Sequence, residues 1–146
     1  MFERILLAVD GSSDAQEAVK YSRDLALQND AQVIVVHAFE PVPTYLGEPH
    51  KSRVAADHVS EGRRIAQQTV KDLEEAGLDV IAEVLEGPAA KAILGVADVR
   101  QPDLIVMGSR GHGELASLLL GSVSHRVLAH AQAPVMIVKA RQAENL

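Results

Sequence analysis

Apolar residues along this chain fall into two alternating patterns. Ile5-Leu6-Leu7-Ala8-Val9 is an unbroken apolar run that stops at Asp10-Gly11, the pattern of a strand covered on both faces. Ala15, Ala18, Val19, Ser22, Leu25 and Ala26 then recur at helical spacing, with Ser13 and Gln16 spelling a capping box at the start. Val33-Ile34-Val35-Val36 predicts a second buried strand, closed by His37-Ala38. The segment Phe39 to Arg53 holds three prolines between Glu40 and Pro49 and predicts an irregular loop, flanked by His50 and His58. Val59, Ala66, Val70, Leu73 and Ala76 mark one face of a long helix that Gly77 should end.

From Leu78 to Leu85, Asp79 and Glu83 alternate with Val80, Ala82 and Val84, which predicts an edge strand with one wet face. Ala89, Ala92, Ile93, Val96 and Ala97 form another helical stripe. Leu104-Ile105-Val106-Met107 is a fourth strand ending at Gly108, a helix follows around Val123, Val127 and Leu128, and Pro134 to Val138 is a fifth strand. Strands alternating with helices of this length imply right-handed βαβ units. The expected fold is therefore α/β and Rossmann-like, an open parallel sheet with helices on both faces, in one domain over residues 1–146. In such sheets ligands sit beyond the carboxyl ends of the strands, which directs attention to Asp10-Gly11-Ser12, His37-Ala38 and the stretch from Gly108 onward.

Composition narrows the function classes. The 146 residues carry no cysteine, which excludes disulfides, thiolate metal sites and cysteine nucleophiles. A net charge of −6 and 3% aromatic residues argue against nucleic-acid partners. No apolar run reaches bilayer length, and the N-terminal segment is too short and too soon interrupted by Asp10 to read as a secretory signal, so no membrane insertion and a cytoplasmic location are expected. The charge is uneven: between Leu104 and Ala143 Glu114 faces Arg110, Arg126, Lys139 and Arg141, a setting that suits a small anion.

Gly108-Ser109-Arg110-Gly111-His112-Gly113 and the later Gly121-Ser122-Val123-Ser124 form the most informative segment. Glycines let a backbone approach a ligand closely, and a helix opening at Gly121 would aim its first N–H groups at one point, with the Ser122 and Ser124 hydroxyls beside them and Arg110 or His112 adding charge. The expected ligand is a phosphate chain; the alternative is a tight turn and a flexible loop. Gly108 and Gly113 have the outer spacing of a Walker A loop, but Glu114-Leu115 stands where Lys-Ser/Thr is needed, so a P-loop is rejected. Gly111-x-Gly113-x-x-Ala116 lacks the acid at the end of the next strand that a dinucleotide site requires.

The spacing Gly108-x-x-Gly111-(nine residues)-Gly121-Ser122 resembles the ATP-binding branch of the universal stress proteins, as do Ile5 to Ser12, Val36-His37-Ala38 and Ala133 to Val138, so that the likeness covers essentially the whole chain. The resemblance implies an adenine nucleotide alpha hydrolase-like sheet of order 3-2-1-4-5 with ATP, or AMP or ADP, over the strand ends. It implies that Ala8, Val9, Ala38 and Met107 line an adenine slot, with the Ala38 backbone meeting the base. Asp10 would meet the ribose or a phosphate-bound Mg²⁺, and Gly108, Arg110, Gly111, Gly121, Ser122, Val123 and Ser124 would cradle the phosphates.

Taken singly, Asp10 either contacts the ligand or caps the following helix, and a carboxylate beside polyphosphate needs an intervening Mg²⁺ or ribose hydroxyl. The histidines do not form a metal site by spacing, His37 reads as a strand-end residue with a satisfied ring, and His112 is the one that could donate to phosphate. Val135 to Val138 would be an apolar sheet edge, for which pairing with a second copy is the simple remedy and a guarding polar tail the alternative. These features favour a dimeric regulatory protein whose nucleotide occupancy an unknown protein partner reads, hydrolysing ATP slowly at most. The alternatives are an ATPase or nucleotidyl-transferring enzyme on a related fold, and a nucleotide-free, chaperone-like dimer.

Overall fold

The computed structural model describes residues 1–40, 45, 47–111 and 119–140. Its elements run β1 (Arg4–Ala8), α1 (Ser13–Asn29), β2 (Gln32–Phe39), α2 (His50–Glu75), β3 (Val80–Glu86), α3 (Ala89–Arg100), β4 (Leu104–Gly108), α4 (Ser122–His130) and β5 (Val135–Val138). The strands form one parallel sheet in the order β3-β2-β1-β4-β5, as expected. Ile5 pairs with Val33 on one side and Leu104 on the other, which sets the register of the three innermost strands.

Alternate side chains feed two cores. Ile5, Leu7, Val33, Val35 and Val106 pack with Ala18, Ala26 and Leu73 of α1 and α2. Leu6, Ile34, Val36 and Ile105 pack with Ile93, Val96 and Val127 of α3 and α4. A strand with apolar residues at every position is thus a strand with a helix layer on each face, and β1, β2 and β4 are legible for that reason. β3 lies at an edge with most of its residues half-buried, as its alternating acids predict.

Several boundaries depart from the sequence reading: β3 is Val80–Glu86 against the expected Leu78 to Leu85, β5 begins at Val135 and not Pro134, and three others bear on the site. The N-cap of α1 is Ser12 and not Ser13: Ser12 is extended (φ −69°, ψ 163°), its hydroxyl accepts from Ala15 N at 3.2 Å, and its carbonyl accepts from Gln16 N at 2.9 Å. Gly11 at φ +81° makes the turn that puts Ser12 there, a conformation that favours glycine. β2 is longer than predicted and takes in His37, Ala38 and Phe39, which pair with Val84, Leu85 and Glu86. His50 and His58 do not flank a loop: both lie in α2, where a His58 ring nitrogen bonds the Glu40 carbonyl at 2.9 Å. The other end of α2 behaves as expected, with Gly77 at φ +92° and Leu78 N bonded to Leu73 O.

His37 is 7% exposed and its Nδ1 donates to the Val9 carbonyl at 2.8 Å; a carbonyl only accepts, so this nitrogen carries the proton. The ring is roofed by α2 at Gly62, where an added Cβ would stand 2.8 Å from His37 Cδ2. A glycine inside a helix is therefore what brings α2 down onto the end of β2. The ring is satisfied at a strand end, as its sequence position suggested.

Candidate functional site

A cleft lies over the carboxyl ends of β1, β2 and β4, the place where a parallel sheet of this kind holds its ligands. Ala8, Val9, Val36, Ala38, Ile93 and Met107 supply its apolar lining. Asp10, Ser12, Ser109, Arg110, Gly111, Gly121 and Ser124 supply polar groups, and Gly108 and Val123 complete the candidates among the lining residues. The residues picked from four separate stretches of sequence thus converge on one cleft. Two do not fall on its wall as described: Ser122 opens α4 next to Gly121 but is not a lining residue, and His112 lies outside the described residues.

One end of the cleft is the start of α4. Gly121 is its N-cap, and the first intrahelical bond runs from His125 N to Gly121 O at 3.0 Å, so the N–H groups of residues 122–124 come before any helical acceptor. The macrodipole adds its positive end at the same place. The position is fixed by the Ser109 carbonyl, which accepts from Gly121 N and from the Ser124 hydroxyl, each at 2.6 Å. The Ser124 hydroxyl also reaches Gly121 O at 3.1 Å, so its proton is held between two carbonyls inside the protein.

The glycines of the stretch have unlike roles. Gly108 is a packing glycine: a Cβ there would sit 2.7 Å from Asp14 Cβ and 2.9 Å from Ala15 N. Gly111 presses on the site itself, where a Cβ would stand 2.8 Å from Asp10 Oδ2. The other Asp10 oxygen accepts from Ser12 N at 2.9 Å, so Asp10 both shapes the turn into α1 and presents an oxygen toward Gly111.

The residue that the sequence reading missed is Asp14. Its position in the first turn of α1 reads as an ordinary helix-start acid, yet it is 3% exposed. Oδ2 accepts from the Ser109 hydroxyl at 2.7 Å and Arg110 N at 3.1 Å, and Oδ1 accepts from Ala140 N at 2.9 Å. Arg110 Nε stands 3.5 Å from Oδ2, so the charge expected to serve a ligand is committed at least in part to this buried carboxylate. Burial by itself pushes the Asp14 carboxyl up, but the Ser109 hydroxyl, the Ala140 and Arg110 N–H groups and the Arg110 charge together hold it below the ordinary carboxylate range. A depressed folded pKa contributes stability that is complete above the unfolded value near 4 and is lost as pH falls through the folded one. Asp14→Asn is accordingly expected to cost about 2 kcal/mol at pH 7, and the gap from wild type should narrow as the pH falls through the lowered folded value of Asp14. Urea titrations of both proteins at several pH values check this; a gap that persists in acid would contradict it.

Three further properties bear on chemistry. Among the described residues no three His, Asp or Glu side chains are grouped to hold a metal ion, and Asp10 is the one carboxylate on the cavity wall. No described helix is long and apolar enough to cross a membrane. Among the described residues β5 is paired along one side only, by β4, and Val135, Met136 and Ile137 are half-buried.

Residues 1–139 match the model of the universal stress protein family. A universal stress protein of Thermus aquaticus is 40% identical over 139 residues, covering 95% of this chain and all of that protein. Among solved structures, the hypothetical protein MJ0577 superposes with a TM-score of 0.88 at 26% identity, over 98% of this chain and 99% of its own. A universal stress protein in complex with cAMP superposes with a TM-score of 0.73 at 25% identity, over 96% and 99% of the two chains.

Proposed function

The chain belongs to the universal stress protein family, and from that premise we propose that its cleft binds ATP, with ADP and AMP as weaker occupants of the same site. The observation that carries the reading is the meeting, in one cavity, of an apolar slot from β1, β2, β4 and α3 with the N-terminus of α4. A flat base and a polyphosphate need those two environments side by side. Ala8, Val9, Ala38 and Met107 take the adenine, the Ala38 backbone reads its edge, and Gly111, Gly121 and Val123 face the phosphates, with Ser122 behind them at the start of α4. The relative solved with cAMP supports an adenine nucleotide.

Mg²⁺ fits as a companion of the nucleotide and not as a resident ion. With Asp10 the single carboxylate on the wall among the described residues, a cation would draw most of its oxygens from phosphate and water, with Asp10 supplying one. The same scarcity bears on hydrolysis. Phosphoryl transfer needs an oriented nucleophile as well as charge stabilisation, and Asp10 is already tied to Ser12 N, so turnover is at most slow. The protein acts in this reading as a cytoplasmic regulator: a homodimer joined by its β5 edges, whose occupied and empty forms a protein partner distinguishes. The half-covered apolar edge of β5 supports the dimer.

Calorimetry with ATP, ADP and AMP, each with and without Mg²⁺, tests the site. ATP is expected to bind most tightly, and Asp10→Asn to remove most of the gain that Mg²⁺ gives. Equal affinity for ATP and AMP would contradict the phosphate assignment, and sedimentation as a monomer at micromolar concentration would contradict the dimer.

A further inference from the structure

The β4–β5 ladder changes partners at one step. It runs from Ile105 N to Pro134 O and on to Ser109 N with Val138 O, and in a parallel ladder the next bond would join Ala140 N to Ser109 O. That bond is not made. The Ser109 carbonyl turns to Gly121 N and the Ser124 hydroxyl at the start of α4, and Ala140 N goes to Asp14 Oδ1. A carboxylate from α1 thus stands in for the strand acceptor and leaves the Ser109 carbonyl free to anchor the helix that faces the cleft.

We infer that Asp14 is a positioning residue for the phosphate-binding end of the site, acting by keeping Ala140 N off the Ser109 carbonyl. This rests on the nucleotide reading of the cleft. Asp14 is not on the cavity wall. Its effect reaches the ligand through Ser109 and then Gly121. An acceptor is needed here because Ala140 N–H would otherwise go unpaired or take the nearest carbonyl, and the nearest in register is that of Ser109. If it does so, the ladder lengthens by one step and α4 loses the bonds that place its first N–H groups.

The inference predicts a rescue. Asp14→Ala should weaken ATP binding about tenfold while leaving adenosine, which lacks phosphate, within about twofold. Adding Ala140→Pro to that variant deletes the competing N–H and should restore ATP affinity to within about threefold of wild type. Arg110 is freed from Asp14 equally in the single and double variants, so its altered charge does not affect that comparison. Failure of the double variant to recover, or a parallel loss of ATP and adenosine, would overturn the inference. If Asp14→Ala does not fold, Asp14→Asn serves in its place: its NH₂ can donate to the Ser109 hydroxyl but not accept from Arg110 N, while its oxygen still holds Ala140 N off the Ser109 carbonyl, so ATP affinity should stay within about threefold, and a tenfold loss would overturn the inference. Wild-type protein that binds neither ATP nor adenosine would instead overturn the nucleotide reading itself.

Discussion

Replacing Gly121 by aspartate is expected to raise the stability of the protein slightly and to abolish its affinity for ATP. Gly121 is the N-cap of α4, sits at φ −74° and ψ 168°, and gives the helix no side-chain cap. That backbone conformation is open to any residue. An aspartate there can accept from the N–H groups two and three residues on and meets the positive end of the helix dipole, which is worth about 0.5–1 kcal/mol. The same groups are those a phosphate would use. A carboxylate lodged among them both occupies the donors and repels the ligand, so the loss of ATP affinity should be at least about 100-fold, or roughly 2.7 kcal/mol. Adenosine should bind nearly as before. Thermal melting and calorimetry on the one variant read both effects; a variant that gains stability and still binds ATP as tightly as wild type would show that the phosphates lie elsewhere.

How the site could be read from sequence follows from which contacts are local. β1, β2 and β4 announce themselves because each residue of a doubly covered strand must be apolar, and their ends, with the glycine stretch, mark the cleft in a parallel sheet. The start of α1 was misplaced by one residue because Ser12 and Ser13 both precede a helical stripe and Gln16 completes the capping spacing for Ser13; the conformation of Gly11 decides between them, and the sequence does not spell it. Asp14 went unread for a different reason. Its partners are Ser109, Arg110 and Ala140, 95 to 126 residues away, and an acid in a helix's first turn has a sufficient local explanation in the dipole. Gly62 carried a usable signal, since a glycine inside a long helix costs about 1 kcal/mol relative to alanine and is retained where something packs against it, in this case His37.

Gly108 separates the local reading of the glycine stretch from the packed one. If Gly108 served chiefly to let phosphate approach, Gly108→Ala would weaken ATP and spare the fold. The geometry requires the reverse emphasis. The new methyl would meet Asp14 Cβ at 2.7 Å and the backbone at Ala15 N and Asp14 C at 2.9 Å, and these atoms cannot turn aside as the tip of a side chain could. Relief requires the first turn of α1 to move off the end of β4, which breaks the Asp14 contacts to Ser109 and Ala140. The expected cost is about 3 kcal/mol, a fall in Tm of roughly 10 °C. Gly111→Ala offers the contrast: among the described residues its methyl meets only Asp10 Oδ2, at 2.8 Å, a carboxylate that can rotate, so stability should change by under about 1 kcal/mol while Mg²⁺-dependent ATP binding falls. Melting curves for the two variants side by side decide the matter. Equal stabilities would mean that α1 does not press on β4 as described, and that both glycines are there for the ligand.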